Sequence, residues 1–176
     1  WWSERTGWGQ FYRYNSDGEL KNEITKGNFV AGNIVKIDTA AQTMYFTAFG
    51  KETSEHPYYQ HLYSVRFDGS RLQHLSTESG NHQIYASEKG NYFVDNISTV
   101  HEPTRSVLRD GSGKIILELQ QVNIDRATEL GWEVPEIFTV KAADGATDLY
   151  GVMWKPFDFD PNKKYPVISY VYPGPQ

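Results

Sequence analysis

The feature that most constrains the fold is a unit of strand-like segments that recurs along the first two-thirds of the chain. Each copy joins an apolar or aromatic segment to an Asp-Gly pair, as follows: FYRY at residues 11–14 with Asp17-Gly18, LYSV at 62–65 with Asp68-Gly69, and SVLR at 106–109 with Asp110-Gly111. The first two Asp-Gly pairs lie about 50 residues apart, and the third copy is the most degenerate. Repeats of about 40 to 50 residues built from short strands and turns are typical of β-propeller blades.

Two further patterns support this interpretation. An aromatic segment precedes each copy: WWS at residues 1–3, MYFT at 44–47 and YFV at 92–94. Thr43–Phe49 is almost continuously apolar or β-branched, which is typical of a strand buried on both faces. Because glycine accepts positive φ without steric cost, each Asp-Gly pair predicts a tight hairpin turn.

We therefore predict a mainly β fold, with a partial β-propeller of about two and a half four-stranded blades over residues 1–121. The first blade lacks its first strand, the second is nearly complete, and the third ends near Gln121. The alternative is a small β-sandwich whose turns resemble one another. Sandwiches also have closely spaced strands, but they rarely repeat a whole strand–strand–turn–strand unit, which favours the propeller.

The pattern changes in residues 122–176. Residues 125–131 predict a short helix, with Asp at its N-cap and Gly just after its end. Residues 137–142 and 149–154 predict two antiparallel strands, joined by a turn at residues 143–146. This part of the chain is predicted to be a linker helix and the first strands of an incomplete α/β-hydrolase domain.

The last stretch of the chain carries the most specific string. KKYP at residues 163–166 leads into VISYV at 167–171, and Tyr172 follows at once, before Pro-Gly-Pro. The apolar, β-branched character of residues 167–171 predicts a third hydrolase strand.

Composition excludes several classes of function. The chain has 22 acidic and 17 basic residues, a formal net charge of -5, and no Lys/Arg stripe that would neutralise nucleic-acid phosphates. It has no cysteine, so disulfides and thiolate catalysis are excluded. No apolar run reaches the roughly 18 residues that a membrane-spanning helix needs. We expect no nucleic-acid partner, no metal and no cofactor.

Other candidate site residues are few. The five histidines match no zinc-ligand spacing, so we predict surface or loop positions for them: His56, His61, His74, His82 and His101. Residues 50–60, with two glutamates, a histidine and two tyrosines, are predicted to be an ordinary blade loop, and the alternative is a loop that reaches a substrate or a neighbouring blade. Asp158 and Asp160 lie among aromatics before a proline, which predicts a turn rather than a carboxylate pair.

Several strings resemble the dipeptidyl peptidase IV family of prolyl-specific serine exopeptidases. They are ITKG at residues 24–27, YFTA at 45–48, HLY at 61–63, YFVD at 92–95 and, most specifically, KKYP at 163–166 with Val171-Tyr172 and Gly174-Pro175. In this order they cover nearly the whole chain, across a junction between propeller and hydrolase domain. The resemblance implies a parent enzyme whose N-terminal propeller restricts access to a C-terminal α/β-hydrolase domain.

The resemblance also implies a reaction and one site residue. Family members release X-Pro and X-Ala dipeptides from peptide N-termini by acyl-enzyme chemistry, and Tyr172 would supply the side-chain donor of the oxyanion hole. The alternative is that Tyr172 only caps a strand. No G-x-S-x-G nucleophile elbow is present in the 176 residues, and the triad Asp and His normally follow that serine. We therefore predict that the isolated chain is inactive.

Two other functions remain open: a non-catalytic propeller used for binding, and a prolyl-oligopeptidase-type endopeptidase. A nucleophile elbow further along the reading frame would favour an enzyme over a binding module. The resemblance implies peptide substrates with Pro or Ala at the second position and favours a periplasmic or other extracytoplasmic location. Exposed sheet edges pair readily with other chains, so we also predict a homo-oligomer.

Overall fold

The structure is a computed structural model that describes residues 1–171. The chain divides into two compact units, Trp1–Ile124 and Asp125–Gln176. The first unit contains three successive antiparallel sheets, and the second contains a short helix and a two-stranded sheet. Within the described residues, no helix is both long and apolar enough to cross a membrane.

Each sheet of the first unit is a meander, in which strands consecutive in the chain are neighbours in the sheet. The first sheet has three strands: β1 (Trp2–Ser3), β2 (Gln10–Tyr14) and β3 (Leu20–Glu23). The second has four: β4 (Val30–Asp38), β5 (Thr43–Phe49), β6 (Gln60–Arg66) and β7 (Gln73–His74). The third also has four: β8 (Asn81–Ala86), β9 (Tyr92–Ser98), β10 (Arg105–Asp110) and β11 (Ile115–Gln121). The predicted mainly β fold is confirmed, and the first of the three sheets has three strands where the others have four.

The last two strands of every sheet are joined by the same type of turn, closed by a glycine with positive φ. The glycines are Gly18 (φ 82°), Gly69 (φ 82°) and Gly113 (φ 90°). Their N–H groups donate to the carbonyl groups of Asn15, Arg66 and Asp110 at 3.2, 2.9 and 3.0 Å. The predicted equivalence of Asp110-Gly111 with the other Asp-Gly pairs is therefore wrong. Asp110 begins the turn, and Gly113 supplies the left-handed conformation that glycine adopts freely.

Two apolar clusters lie against the second sheet, and β5 contributes residues to both of them. Phe46 belongs to a cluster with Phe11 of the first sheet, and their ring centroids are 6.0 Å apart. Tyr45 belongs to a different cluster with Phe93 of the third sheet, at 4.9 Å. The five central residues of β5 are all buried. The predicted burial of this strand on both faces is confirmed.

The second unit contains α1 (Asp125–Glu129), β12 (Glu136–Lys141) and β13 (Asp148–Met153), so the predicted helix and strand pair are present. Gly131, with φ 88°, follows the helix as expected of a C-terminal glycine. The β12–β13 turn is held by Asp144, whose carboxylate accepts hydrogen bonds from Thr147 and Ala146. These bonds lower the pKa of Asp144 to about 2, and the bond from the Thr147 hydroxyl has the largest effect.

The predicted third strand at residues 167–171 is wrong for this structure. These residues form no strand, and Val167, Ile168 and Tyr170 are each more than 90% exposed. A strand satisfies its backbone N–H and C=O groups through a neighbouring strand. Within the described residues the only strand pair of this unit is β12–β13, which leaves residues 167–171 without a partner strand.

Candidate functional site

Tyr172, the one site residue predicted from the sequence, lies outside the described residues. The charged turn before it is described. Asp160 Oδ1 accepts a hydrogen bond from the Asn162 N–H at 3.0 Å, and the Tyr165 hydroxyl accepts one from the Asp160 N–H at 2.9 Å. Asp160 is thus held in a turn, as predicted.

Between the second and third sheets lies a group of ionisable side chains that we term the polar cluster. Its members are Glu52, Glu55, His61, His74, Glu78, His82, Asp95 and Arg109. The loop between β5 and β6, strands β6 and β7, and the connection to β8 supply five of them, and the third sheet supplies the rest. The cluster therefore joins residues that are far apart in sequence.

Arg109 on β10 is the centre of the polar cluster and is only 1% exposed. Its Nε donates to Asp95 Oδ2 at 2.7 Å, its Nη1 donates to the Gly113 carbonyl at 2.8 Å, and its Nη2 pairs with the Glu78 carboxylate. Burial raises the pKa of Glu78, but the hydrogen bond and the charge of Arg109 lower it more, so the net shift is downward. Arg109 thus ties the connection between the two sheets to the third sheet.

His82 on β8 is fully buried beside this ion pair, and both of its ring nitrogens face acceptors. Nδ1 lies 2.8 Å from Asp95 Oδ2, and Nε2 lies 2.9 Å from the Glu78 carbonyl oxygen. An ionised carboxylate and a backbone carbonyl accept but do not donate, so both bonds form only when each ring nitrogen carries a proton. The His82 ring and the Arg109 guanidinium thus contact the same Asp95 oxygen, and both also contact Glu78.

His61 on β6 lies between Ser76 and Glu55, a combination that resembles the serine–histidine–acid triad of hydrolases. Ser76 Oγ is 3.5 Å from His61 Nδ1, and Glu55 Oε2 is 3.3 Å from Nε2. However, Nδ1 lies closer to the Ser76 carbonyl oxygen, at 2.8 Å, and must donate to it, so it has no lone pair to accept the hydroxyl proton. Ser76 is also fully buried, which excludes a substrate. This group is structural.

His74 on β7 stacks on Tyr63, with ring centroids 4.8 Å apart. Its Nδ1 lies 3.6 Å from Glu52 Oε1, the same oxygen to which the Tyr63 hydroxyl donates at 2.7 Å. Burial lowers the pKa of His74, and the hydrogen bond from Tyr63 lowers that of Glu52. Burial, followed by the bond to Glu52, raises the pKa of Tyr63. At neutral pH the His74 ring is therefore neutral and the Glu52 carboxylate is ionised.

The loop between β5 and β6 contacts the start of the third sheet. Glu55 Oε2 accepts a hydrogen bond from the Gly80 N–H at 3.2 Å, and Gly80 immediately precedes β8. The Gln60 N–H donates to Asn81 Oδ1 at 3.2 Å. The alternative interpretation of this loop, contact with a neighbouring blade, is therefore confirmed, and the prediction of an ordinary loop is wrong.

The predicted surface or loop positions of the histidines are wrong for three of the five. His61 and His82 are buried at 2% and 0% exposure, and His74 is half-buried. His61 lies in β6 and His82 in β8, beside strand signals that the sequence already contained. Zinc-ligand spacing was the wrong criterion, because these rings instead contact carboxylates and carbonyls of adjacent strands, of the β5–β6 loop and of the connection between β7 and β8.

The arrangement of the polar cluster indicates a structural role. Among the described residues, no group of three or more His, Cys, Asp or Glu side chains is arranged to hold a metal ion. His82, Asp95 and Arg109 are all 1% exposed or less, so they reach no ligand in solvent. What these groups can do is hold two sheets in one relative position.

The chain is similar in sequence and in fold to proteins of one family. A family model described as the dipeptidyl peptidase IV N-terminal region matches residues 1–104. Dipeptidyl peptidase 4 of Trichophyton tonsurans is 29% identical over 178 residues, which cover 98% of this chain and 22% of that protein. The chain therefore spans about a fifth of the length of such curated relatives.

Two solved structures share the fold. Porphyromonas gingivalis dipeptidyl peptidase 4 superposes with a TM-score of 0.75 at 24% identity, covering 94% of this chain and 23% of its own. A putative dipeptidyl aminopeptidase IV from Bacteroides ovatus gives a TM-score of 0.72 at 27% identity, covering 94% and 26%. The match to the family model extends over more than half of the chain. The chain belongs to the dipeptidyl peptidase IV family, as the sequence predicted.

Proposed function

We propose that this chain forms the last propeller blades and the first hydrolase strands of a serine exopeptidase. The parent enzyme would release dipeptides with Pro or Ala in the second position from peptide N-termini, through an acyl-enzyme. The observation that carries the proposal is a match, at 29% identity, that covers 98% of the chain and is to a protein named dipeptidyl peptidase 4.

The proposed division assigns residues 1–121 to propeller blades and residues 122–176 to a linker helix and the start of the hydrolase domain. The end of β11 at Gln121 and the boundary between the compact units after Ile124 support it. The change from four-stranded meanders to a helix and a separate hairpin supports it further.

The role proposed for the blades is positioning rather than chemistry. At the centre of the polar cluster in the first unit, His82, Asp95 and Arg109 are buried, and His82 and Arg109 both contact Asp95. In this proposal the blades restrict which peptides reach the active site of the parent enzyme. The reaction itself requires a nucleophile with a base beside it. The fragment is therefore inactive in this proposal.

Tyr172 is the proposed oxyanion donor of the parent enzyme. A preorganised phenol O–H strengthens its hydrogen bond as negative charge develops on the substrate oxygen, and loss of one such donor costs roughly 100- to 1,000-fold in kcat. In the parent enzyme, Tyr172→Phe should therefore lower kcat by about that factor and change KM little. Tyr85→Phe is the matched control, because its side chain on β8 is 52% exposed within a sheet that is already paired, and it should retain full activity. Equal activity of both variants would reduce Tyr172 to a strand cap.

The class of reaction is tested by comparing the isolated chain with the longer protein encoded by the same reading frame. The longer protein should release nitroaniline from Gly-Pro-p-nitroanilide, and the isolated chain should not. Cleavage inside blocked peptides would instead indicate a prolyl-oligopeptidase-type endopeptidase. Absence of any hydrolysis by a folded longer protein would indicate a binding module.

Self-association through a sheet edge is also proposed. Strand β11 pairs with β10 on one side, and Ile116, Leu117 and Leu119 are 45, 54 and 44% exposed. Edge strands that expose apolar side chains pair with other chains unless charges prevent it. Light scattering of the chain should show a dimer or larger species that Leu117→Lys converts to a monomer. A monomeric unsubstituted chain at high concentration would contradict this proposal.

A further inference from the structure

We propose that His82 is a proton-dependent clasp between the second and third sheets. With protons on both ring nitrogens, the imidazolium holds the connection of residues 75–80 against β8 and β9. Loss of one ring proton breaks one of the two bonds and releases that connection.

The clasp depends on what each nitrogen meets. Nδ1 contacts Asp95 Oδ2, in the middle of β9, at 2.8 Å. Nε2 contacts the Glu78 carbonyl oxygen, in the connection from the second sheet, at 2.9 Å. The side chain is 0% exposed, so water does not replace either partner. The ring therefore bridges a strand of the third sheet and the segment that enters it.

A neutral ring cannot satisfy both contacts. If Nδ1 keeps the proton, the Nε2 lone pair points at the lone pairs of the Glu78 carbonyl. If Nε2 keeps it, the Nδ1 lone pair points at the Asp95 carboxylate. Either tautomer turns one hydrogen bond into a repulsive contact in a buried site, where an unsatisfied polar group is costly. The ring must then rotate or the connection must move.

The other charged groups around His82 make its proton decisive. They are Asp95 on β9, Arg109 on β10, Glu78 in the connection, and His61 on β6, whose ring centroid is 4.8 Å away and whose Nε2 faces Glu55. Beyond His61 lie His74 and Glu52. Arginine stays protonated at any pH at which proteins are folded, and its guanidinium is paired with both Asp95 and Glu78. The net charge of this group therefore depends on whether His82 carries its second proton.

The protonation state is tested directly by nitrogen-15 NMR of the unsubstituted chain with labelled histidine. At neutral pH, both ring nitrogens of His82 should have the shifts of protonated nitrogen, and two slowly exchanging ring N–H protons should be visible. Raising the pH should shift one nitrogen to the lone-pair range, together with changes in the backbone amide signals of residues 75–80. One unprotonated ring nitrogen at neutral pH and below would overturn the proposal.

A variant tests the effect on the fold. His82→Gln cannot supply two opposed donors or a positive charge, so it should lower the midpoint of thermal unfolding by about 5 °C or more at mildly acidic pH. The gap to the unsubstituted chain should narrow by at least half at alkaline pH, because the unsubstituted ring has then lost its second proton. His101→Gln, at an exposed loop histidine, is the control and should show no gap at either pH. A gap that does not change with pH would overturn the clasp. If His82→Gln does not fold, the NMR measurement on the unsubstituted chain decides.

Discussion

The second sheet has a neighbour on each side, and the two interfaces are built from different kinds of contact. Toward the first sheet the contact is apolar and aromatic, with Phe46 against Phe11 and with Phe29 and Tyr63 in the same cluster. Toward the third sheet the apolar contact of Tyr45 with Phe93 is smaller, and the polar cluster lies in the same interface.

The difference predicts two kinds of sensitivity. An apolar interface loses stability in proportion to the atoms removed and to the cavity left behind. A buried ion pair loses much more when one partner is removed, because the other charge is then left without compensation. The histidines and carboxylates of the polar cluster lie at the second interface, and their charges change with pH. Substitutions and pH together should therefore separate the two interfaces.

The largest effect is expected at Arg109, whose removal leaves Asp95 and Glu78 buried without their cation. Arg109→Leu should lower the free energy of unfolding by about 3 to 5 kcal/mol, measured by urea denaturation. Arg105→Leu on the same strand is the matched control, since its pair with Glu118 is exposed and contributes about 0 to 1 kcal/mol. Similar losses for the two variants would show that the polar cluster does not stabilise the interface.

The next effect is expected at the turn glycines. Gly18→Ala meets no atom within 4 Å but must adopt φ near 82°, so it should cost about 1 to 2 kcal/mol. Gly113→Ala must adopt a similar φ, and its Cβ would lie 2.3 Å from the carbonyl oxygen of Leu75, the residue that follows β7. Overpacking adds to the strain, for a total of about 3 kcal/mol. Equal losses of unfolding free energy for the two variants, measured by urea denaturation, would mean that a Cβ at residue 113 does not clash with Leu75.

A smaller effect is expected in the apolar interface. Phe46→Leu keeps an apolar side chain but removes part of the ring that contacts Phe11, so it should cost about 1 to 2 kcal/mol. Because no titratable group is removed, the cost should be the same at about pH 8 and at about pH 5.5. A loss that grows on acidification would place this interface under the same pH control as the polar one.

The smallest effect is expected from His74. Burial lowers the pKa of this ring below its ordinary value of 6.5, so the unfolded chain binds a proton that the folded chain resists. The stability that this provides is present above about pH 6.5 and is lost as pH falls through the folded-state pKa. His74→Phe preserves the stack on Tyr63 and removes the titration, so its unfolding midpoint should fall less on acidification. An identical pH profile would contradict this account.

The carboxylate beside His74 has its own pH window. The hydrogen bond from Tyr63 lowers the pKa of Glu52 below 4.5, so its contribution is present above about pH 4.5 and is lost only in stronger acid. In the His74→Phe variant this step contributes to acid unfolding without the histidine step, together with the other carboxyls whose pKa values are lowered, among them Glu78 and Asp144.

The elements that the sequence predicted correctly are those set by local chemistry. Thr43–Phe49 is buried because its residues are apolar on both sides of the strand, and Gly18 and Gly69 close hairpins because those turns need positive φ. The helix at Asp125–Glu129 with Gly131 after it follows from the same kind of local signal. Family strings then placed these elements in order.

The errors arise where a residue's environment is supplied by a distant segment. Residues 167–171 have the composition of a strand, but a strand also needs a partner, and the described residues supply none. In the third turn the residue with positive φ is Gly113 and not Gly111, because the hairpin geometry, and not the Asp-Gly pair, selects that position.

The sequence by itself determined the number of meanders and the strand patterns, because hydrophobic periodicity and glycine conformations act over a few residues. The family followed from the resemblance of specific strings and not from these patterns. Only the tertiary structure decided that His61 and His82 are buried and that Arg109 has Asp95 and Glu78 as partners. Charges and imidazole rings carry no local signal of burial, since the acceptors that compensate their burial come from segments distant in sequence, here β9 and the connection between β7 and β8.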